Sequence, residues 1–185
     1  MKPTVYREWS EKSAANAQAL AEEARILLEV KRLSRAYYLA HMSTEESSKS
    51  ILLYSMATSR TPASQLPKIK KLLRNHKKKI EFVVAYAAST SHELTEKLHG
   101  LQADLIAHIN DLKNDSMYVS CEENAILTPE ERISDIPVSN HVEAAEYLAF
   151  VANRLLTHHS TGLSLSHSQA DWRYDCSETR TQLAS

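Results

Sequence analysis

The chain has 185 residues and only two glycines, where an average share of roughly 7% would give about a dozen. Aromatic residues make up 6% and charged residues 24%, and Ala and Leu are abundant. Such a chain cannot supply the left-handed backbone positions of many tight hairpins or of a glycine-rich phosphate loop, which disfavours Rossmann, P-loop and β-sandwich folds and favours an all-α fold. The 22 basic and 23 acidic residues leave a formal charge of −1, which excludes a generic polyanion binder while leaving local patches open.

The length suits one domain that buries a core without staples. We expect a helical domain over residues 1–160 and a flexible C-terminal tail over 161–185. Cys121 and Cys176 are too few for a disulfide framework and suit a reducing compartment. The opening stretch MKPTVYREWS has no apolar core of a signal peptide, and the longest apolar run, Phe82 to Ala88, is far short of the ~18–20 residues of a membrane span. The expectation is a cytoplasmic protein with no membrane partner.

In chain order, a first helix is expected from Ser10, as N-cap, to about Val30, with Ala17, Leu20, Ala24, Leu27 and Leu28 at helical spacing. A short turn at VKRLS leads to a second helix capped by Ser34, with Leu39, Met42, Leu53 and Met56 on one side. Ser59 to Pro67 reads as a loop, with Pro67 in the first turn of a third helix. That helix carries Ile69, Leu72, Leu73, Ile80, Val83, Val84 and Ala87 as one stripe and continues, with a break, towards Leu98 and Gly100. A fourth helix is expected over Leu101 to Asn114, with Leu105, Ile109 and Leu112 inward. Residues 115–138 are irregular, and Ser139 can cap a last helix that buries Val142, Ala145, Ala149, Ala152 and Leu156. Short connections between long amphipathic helices imply an antiparallel bundle of about five helices.

Polar residues that interrupt the buried stripes are the candidates for chemistry. His76 falls between Leu73 and Ile80 and points inward by spacing. Met42, Glu46, Lys49 and Leu53 follow one another at helical intervals, so an acid and a base share an apolar face, with Glu45 on the neighbouring row and Asn16 on the row of Leu20. Buried charge must be paired or line a wet cleft. An economical arrangement brings Glu46, Lys49, His76 and Asn16 together between helices, either as a satisfied polar cluster that fixes helix register or as a functional site.

The segment Lys68 to Lys79 contains seven basic residues in twelve and no acid. Lys70, Lys71, Arg74, Lys77 and Lys78 are candidates for contacting a phosphate backbone, against the alternative of a solvated face. His76 borders this stripe, which places an acid–base group beside bound phosphate. Arg35 to His41 and Arg154 to His159 each place a His after an Arg at four-to-six spacing, a coincidence that nine histidines make easy. No metal-ligand spacing is evident, so no metal and no cofactor are expected.

Several segments together resemble the AbiV family of bacterial abortive-infection proteins, a branch of the HEPN helical superfamily. They are NAQALAEEARILLE (16–29), RAYYLAHMSTEESSK (35–49), LLRNHKKKI (72–80), LKNDSMYVS (112–120) and LTPEERI (127–133), in that order. The resemblance extends to about residue 160. It implies an all-α, HEPN-like bundle, antiphage defence, an RNA-directed activity and a homodimer. Carried over, an EE-x-x-K element falls on Glu45, Glu46 and Lys49, a His-Lys-x-Lys element on His76, Lys77 and Lys79, and a Lys-loop-Tyr-Val element on Lys113, Tyr118 and Val119, with the early Asn at Asn16. Ser48 stands where relatives often have Gly. HEPN ribonucleases use Arg and His four to six residues apart, a spacing that Arg154 and His159 meet and Arg74 and His76 do not.

Three functions fit these residues. In the first, a metal-independent endoribonuclease, His76 is the base, Arg74 or Lys79 stabilises charge on the phosphate, and Glu46 and Lys49 complete the catalytic cluster. Asn16, Glu45, Lys113 and Tyr118 support it, and Arg154 with His159 is the alternative catalytic pair. In the second, a non-catalytic defence protein binds a phage or host protein, and the cluster is structural. The third is a helical domain with no defence role.

Overall fold

The computed structural model describes residues 2–58, 63–90, 111–122 and 125–161. Helix α1 spans Pro3–Glu29 and α2 spans Leu33–Ala57. A single 3-10 turn at Ala63–Gln65 leads into α3 (Leu66–Leu73), and α4 follows as His76–Thr90. Residues 111–115 are helical. A small hairpin pairs β1 (Ser120–Glu122) antiparallel with β2 (Ala125–Leu127), and α5 (Pro129–Arg132) and α6 (Val138–Thr161) complete the chain. The fold is all-α as the composition implies. The hairpin is an addition that the irregular pattern of 115–138 did not reveal.

Helices α1 and α2 form an antiparallel pair whose seam is made of small side chains. Ala14, Ala17, Ala21 and Ala24 are buried on α1, and Ala36, Ala40, Ser43, Ser47 and Ser50 on α2. Their small size lets the backbones approach until hydroxyls reach across. Ser10 Oγ donates to the Ser50 carbonyl at 2.8 Å and Ser43 Oγ to the Ala17 carbonyl at 2.8 Å. These bonds satisfy buried hydroxyls that would otherwise carry a desolvation penalty. Ser10, expected as an N-cap, therefore lies inside α1, which begins a full two turns earlier at Pro3. Ser34 likewise lies inside α2, where its hydroxyl donates to Glu130 Oε1 at 2.8 Å and ties α2 to α5.

Helix α6 closes the bundle over α1 and α2. Val142, Ala145, Ala149 and Ala152 are buried on it, as their spacing predicts, and Leu156 packs partly buried against the same core. Arg25 of α1 and Glu146 of α6 pair through two bonds of 2.8 and 2.5 Å, a bidentate geometry that fixes the relative orientation of the two helices. At α5, Thr128 and Glu131 form a capping box and Pro129 occupies the first turn, so TPEER encodes its own helix start.

The expected continuous third helix is broken at Arg74–Asn75. Asn75 Oδ1 accepts from the Lys78 backbone N–H at 3.0 Å and so caps α4, offering the chain a second helix start in place of the uninterrupted stripe. The expected helix over 101–114 lies outside the described residues except for its last turn, as do the tail beyond 161 and Cys176. No helix among the described residues is long and apolar enough to cross a membrane.

The turn between α1 and α2 shows the consequence of scarce glycine. Lys31 adopts φ 58°, Lys31 N–H donates to the Leu28 carbonyl at 3.0 Å, and Arg32 N–H donates to the Leu27 carbonyl at 2.8 Å. This is a Schellman closure with lysine where glycine is usual. A side chain at such a φ costs about 1 kcal/mol. Lys31→Gly is expected to stabilise the fold by about 0.5–1 kcal/mol, raising the melting temperature by a few degrees, whereas Lys31→Val lowers it; thermal unfolding followed by circular dichroism reads both.

Candidate functional site

Helix α2 is buried on most of its circumference because α1, α4 and α6 all pack on it. On the side facing α4 it presents Glu45, whose side chain is only 2% exposed. A carboxylate at such a place must be met by donors. His41 Nε2, one turn earlier on α2, bonds Oε1 at 3.1 Å, while His76 Nδ1 and Lys79 Nζ, both on α4, bond Oε2 at 2.6 and 2.7 Å. Lys113 Nζ stands 3.6 Å from Oε1. Residues from three separate parts of the chain thus converge on one carboxylate.

Burial alone would push the Glu45 carboxyl up. The bonds from His41, Lys79 and His76, together with the Lys79 charge, outweigh it and hold the carboxyl far below the usual carboxylate range. Burial pushes His41 down. Its bond to Glu45 works against that shift, and the nearby Lys113 and His76 work with it. Ser48, completely buried, donates from Oγ to the Lys79 carbonyl at 2.8 Å, so α4 is pinned to α2 one turn from Glu45. Serine at this position does more than permit close approach: its hydroxyl makes the contact.

The arrangement orients an imidazole. With Nδ1 bonded to a buried, ionised carboxylate, the ring is held so that Nε2 points away from Glu45, and in a neutral ring donating from Nδ1 the lone pair is on Nε2. No described residue bonds Nε2, and the His76 side chain is 54% exposed. A general base facing solvent, aligned from behind by a carboxylate, is the chemistry this geometry can perform.

The structure brings some of the residues expected from the sequence together and not others. Glu45, His76, Lys79 and Lys113 come together. Glu46 does not join them: it pairs with Lys49 on the same helix, part-buried and apart from Glu45. Asn16 is exposed on α1 and makes no contact with the cluster. His76 opens α4 at the surface and turns only its Nδ1 inward, instead of lying within an apolar stripe. Lys79, expected beside the phosphate, is 5% exposed and committed to Glu45. Arg74 is exposed at the end of α3, with no bond to the cluster. Lys70 and Lys71 are exposed in the last turn of α3, and Lys77 and Lys78 in the first turn of α4, Lys78 being paired with Glu81 at 2.6 Å. Tyr118 is exposed. Arg154 lies over the Phe150 ring at 5.4 Å, and the His159 side chain lies outside the described residues.

His41 was missed as a member. Its signal was present in the i, i+4 spacing to Glu45, which on a helix stacks the two side chains on one face. No group of His, Cys, Asp and Glu that could hold a metal ion occurs among the described residues.

An all-α bundle with a charged cluster buried on its central helix defines the class of protein. The family model described as AbiV, of the HEPN type, matches residues 5–149, and the chain belongs to that family. Membership points to abortive infection, a form of antiphage defence. Neither the search of curated proteins nor the search of solved structures found a match.

Two predictions follow from the cluster and its surroundings. Removing Glu45 leaves Lys79 buried without its counter-charge, so Glu45→Leu should cost about 3–5 kcal/mol, and adding Lys79→Met should recover part of that loss in a denaturant-unfolding cycle. The second concerns His141, buried on α6 against Tyr37 with ring centroids 4.6 Å apart. Burial, and next the nearby His41, pull it down to about 4, against a weak opposing effect of the Pro137 carbonyl. A histidine depressed from its ordinary value of about 6.5 binds its proton first in the unfolded chain. Stability should therefore be flat above pH 6.5 and fall as pH drops towards 4, by on the order of 3 kcal/mol, and His141→Phe should remove most of that slope in urea titrations across pH.

Proposed function

We propose that this AbiV-family protein acts in antiphage defence as a metal-independent endoribonuclease, a cytoplasmic homodimer that cleaves RNA with His76 as general base. The supporting observation is the Glu45–His76 bond of 2.6 Å, which aligns an imidazole whose other face is exposed. In the reaction, His76 Nε2 takes the proton of a ribose 2′-hydroxyl. The 2′-oxygen forms a bond to the adjacent phosphorus, the bond from phosphorus to the 5′-oxygen breaks, and that oxygen takes a proton from water. The products are a 2′,3′-cyclic phosphate and a 5′-hydroxyl. Exposed Lys70, Lys71, Arg74 and Lys77 at the α3–α4 break supply positive charge along which the RNA backbone runs.

A second reading rests on a different observation. Met117, Tyr118, Val119 and Ile126 expose apolar surface beside the hairpin, a composition suited to a protein partner of phage or host origin. On that reading the Glu45 cluster only holds the bundle together.

RNA sequencing of cells expressing wild type and His76→Ala separates the two. Because His76 is half outside the core, the variant is expected to melt within a few degrees of wild type while new 5′-hydroxyl ends disappear from cellular RNA. Equal fragmentation by a folded His76→Ala variant, or none by wild type during phage infection, removes the nuclease reading.

A further inference from the structure

We propose that His41 is a positioning residue for His76 and acts through Glu45: the two imidazoles donate to opposite oxygens of one carboxylate, and the bond from His41 sets the plane in which Oε2 is presented to His76. The inference deepens the nuclease reading and rests on it only for the reaction that His76 serves.

An ionised carboxylate accepts hydrogen bonds and donates none, so the nitrogen facing each oxygen must carry a proton. That nitrogen is Nε2 in His41, at 3.1 Å from Oε1, and Nδ1 in His76, at 2.6 Å from Oε2. In their neutral forms the two rings are therefore opposite tautomers, both set by a single group. A glutamate carboxylate turns easily about its last side-chain bond, where the energy wells are broad. Lys79 holds Oε2 at 2.7 Å, and a carboxylate pinned at one oxygen can still pivot about it. The bond from His41 to Oε1 stops that pivot. Lys113, 3.6 Å from Oε1, adds charge at a length too great to fix a plane.

His41 suits the role because of where it stands. It lies one turn before Glu45 on the same helix, so their separation is set by helix geometry and does not depend on how α4 is seated. Its side chain is 1% exposed, and the turn before it carries Tyr37 and Ala40, both wholly buried. A ring so enclosed has little freedom to swing away. His76 is the opposite case, half-exposed at the first residue of α4, where packing alone would leave its ring to rotate. Its orientation towards a 2′-hydroxyl therefore depends on Oε2 staying in place. An orienting group built on a rigid element keeps a reacting group within the narrow range that proton transfer needs.

The test uses the full chain and proton–nitrogen NMR of the histidine rings at mildly alkaline pH. In wild type the His41 ring should carry its proton on Nε2 and the His76 ring on Nδ1, the latter proton lying far downfield and exchanging slowly. In His41→Leu the His76 signal should broaden or vanish and its ring should populate both tautomers. His41→Gln, whose side-chain amide reaches Oε1, should keep most of the wild-type pattern. Cleavage assays run beside it: His41→Leu should lower kcat about tenfold with KM little changed, and His41→Gln should restore most of the loss. If His41→Leu does not fold, His41→Asn, polar but too short to reach Oε1, carries the same expectation. A neutral His41 protonated on Nδ1 in wild type overturns the proposal, and so does a folded His41→Leu or His41→Asn variant whose His76 signal is unchanged. His76-dependent cleavage at full rate in such a variant removes the positioning role alone, whereas a His76 signal that depends on His41 in a protein that cuts no RNA removes the nuclease reading alone.

Discussion

A single buried negative charge organises this molecule. Glu45 sits on the helix that α1, α4 and α6 all touch, and hydrogen bonds and an ammonium favour its ionised form. An ionised carboxylate at that depth obliges the rest of the chain to bring donors to it. Helix α4 must start where His76 and Lys79 both reach Oε2, and that requirement fits the break at Arg74–Asn75, which lets α4 take its own start and direction. The polar cluster therefore fixes the relation of α4 to α2 more specifically than the apolar contacts of Ile80 and Val83 could, since apolar surfaces tolerate sliding that a hydrogen bond of 2.6 Å does not.

The carboxylate could not be gathered so closely without the small residues around it. Ser43, Ser47, Ser48 and Ser50 line α2 where a globular helix usually carries Leu or Ile. Glycine would permit the same approach but would weaken a helix interior by about 0.5–1 kcal/mol at each position. Serine allows the approach and adds bonds, Ser43 to the Ala17 carbonyl and Ser48 to the Lys79 carbonyl. The rarity of glycine that first indicated helices is thus also the mark of a packing scheme that uses alanine and serine for proximity. Its penalty appears at Lys31, which must take a backbone conformation better suited to the residue the chain lacks.

The same scheme explains what could be read from the sequence and what could not. The alanine stripe of α6 was legible because burial there follows apolar spacing, and the capping box at Thr128 because its residues encode a local structure. The buried face of α2 is wider than apolar spacing implies. The row of Met42 and Leu53 put Glu46 and Lys49 inward and left Glu45 on the neighbouring row. Leu53 and Met56 are buried as expected, but the serines are buried with them, and the interior extends to Tyr37, His41, Glu45, Ser48 and Leu52. Hydroxyl groups satisfied by a neighbouring helix's carbonyls are invisible to any argument from hydropathy. Lys113 joins the cluster through a tertiary contact, which no local pattern specifies, whereas His41 joins it through i, i+4 spacing on α2. What did survive was the family's EE-x-x-K and His-Lys-x-Lys elements, because their side chains at Glu45, His76 and Lys79 do meet, although Glu46 and Lys49 pair with each other instead.

Within the cluster, exposure separates holding from acting. The deepest groups, His41 and Lys79, both bond the carboxylate and are almost wholly enclosed. A substrate would have to displace a buried ion pair to reach them, at a cost that ordinary binding does not recover. His76 is the outer member: its Nδ1 bonds the carboxylate, and no described residue bonds its Nε2. Stability and chemistry need not compete in such a design, because the buried donors carry the desolvation of Glu45 while His76 is oriented by it and keeps one ring nitrogen towards solvent.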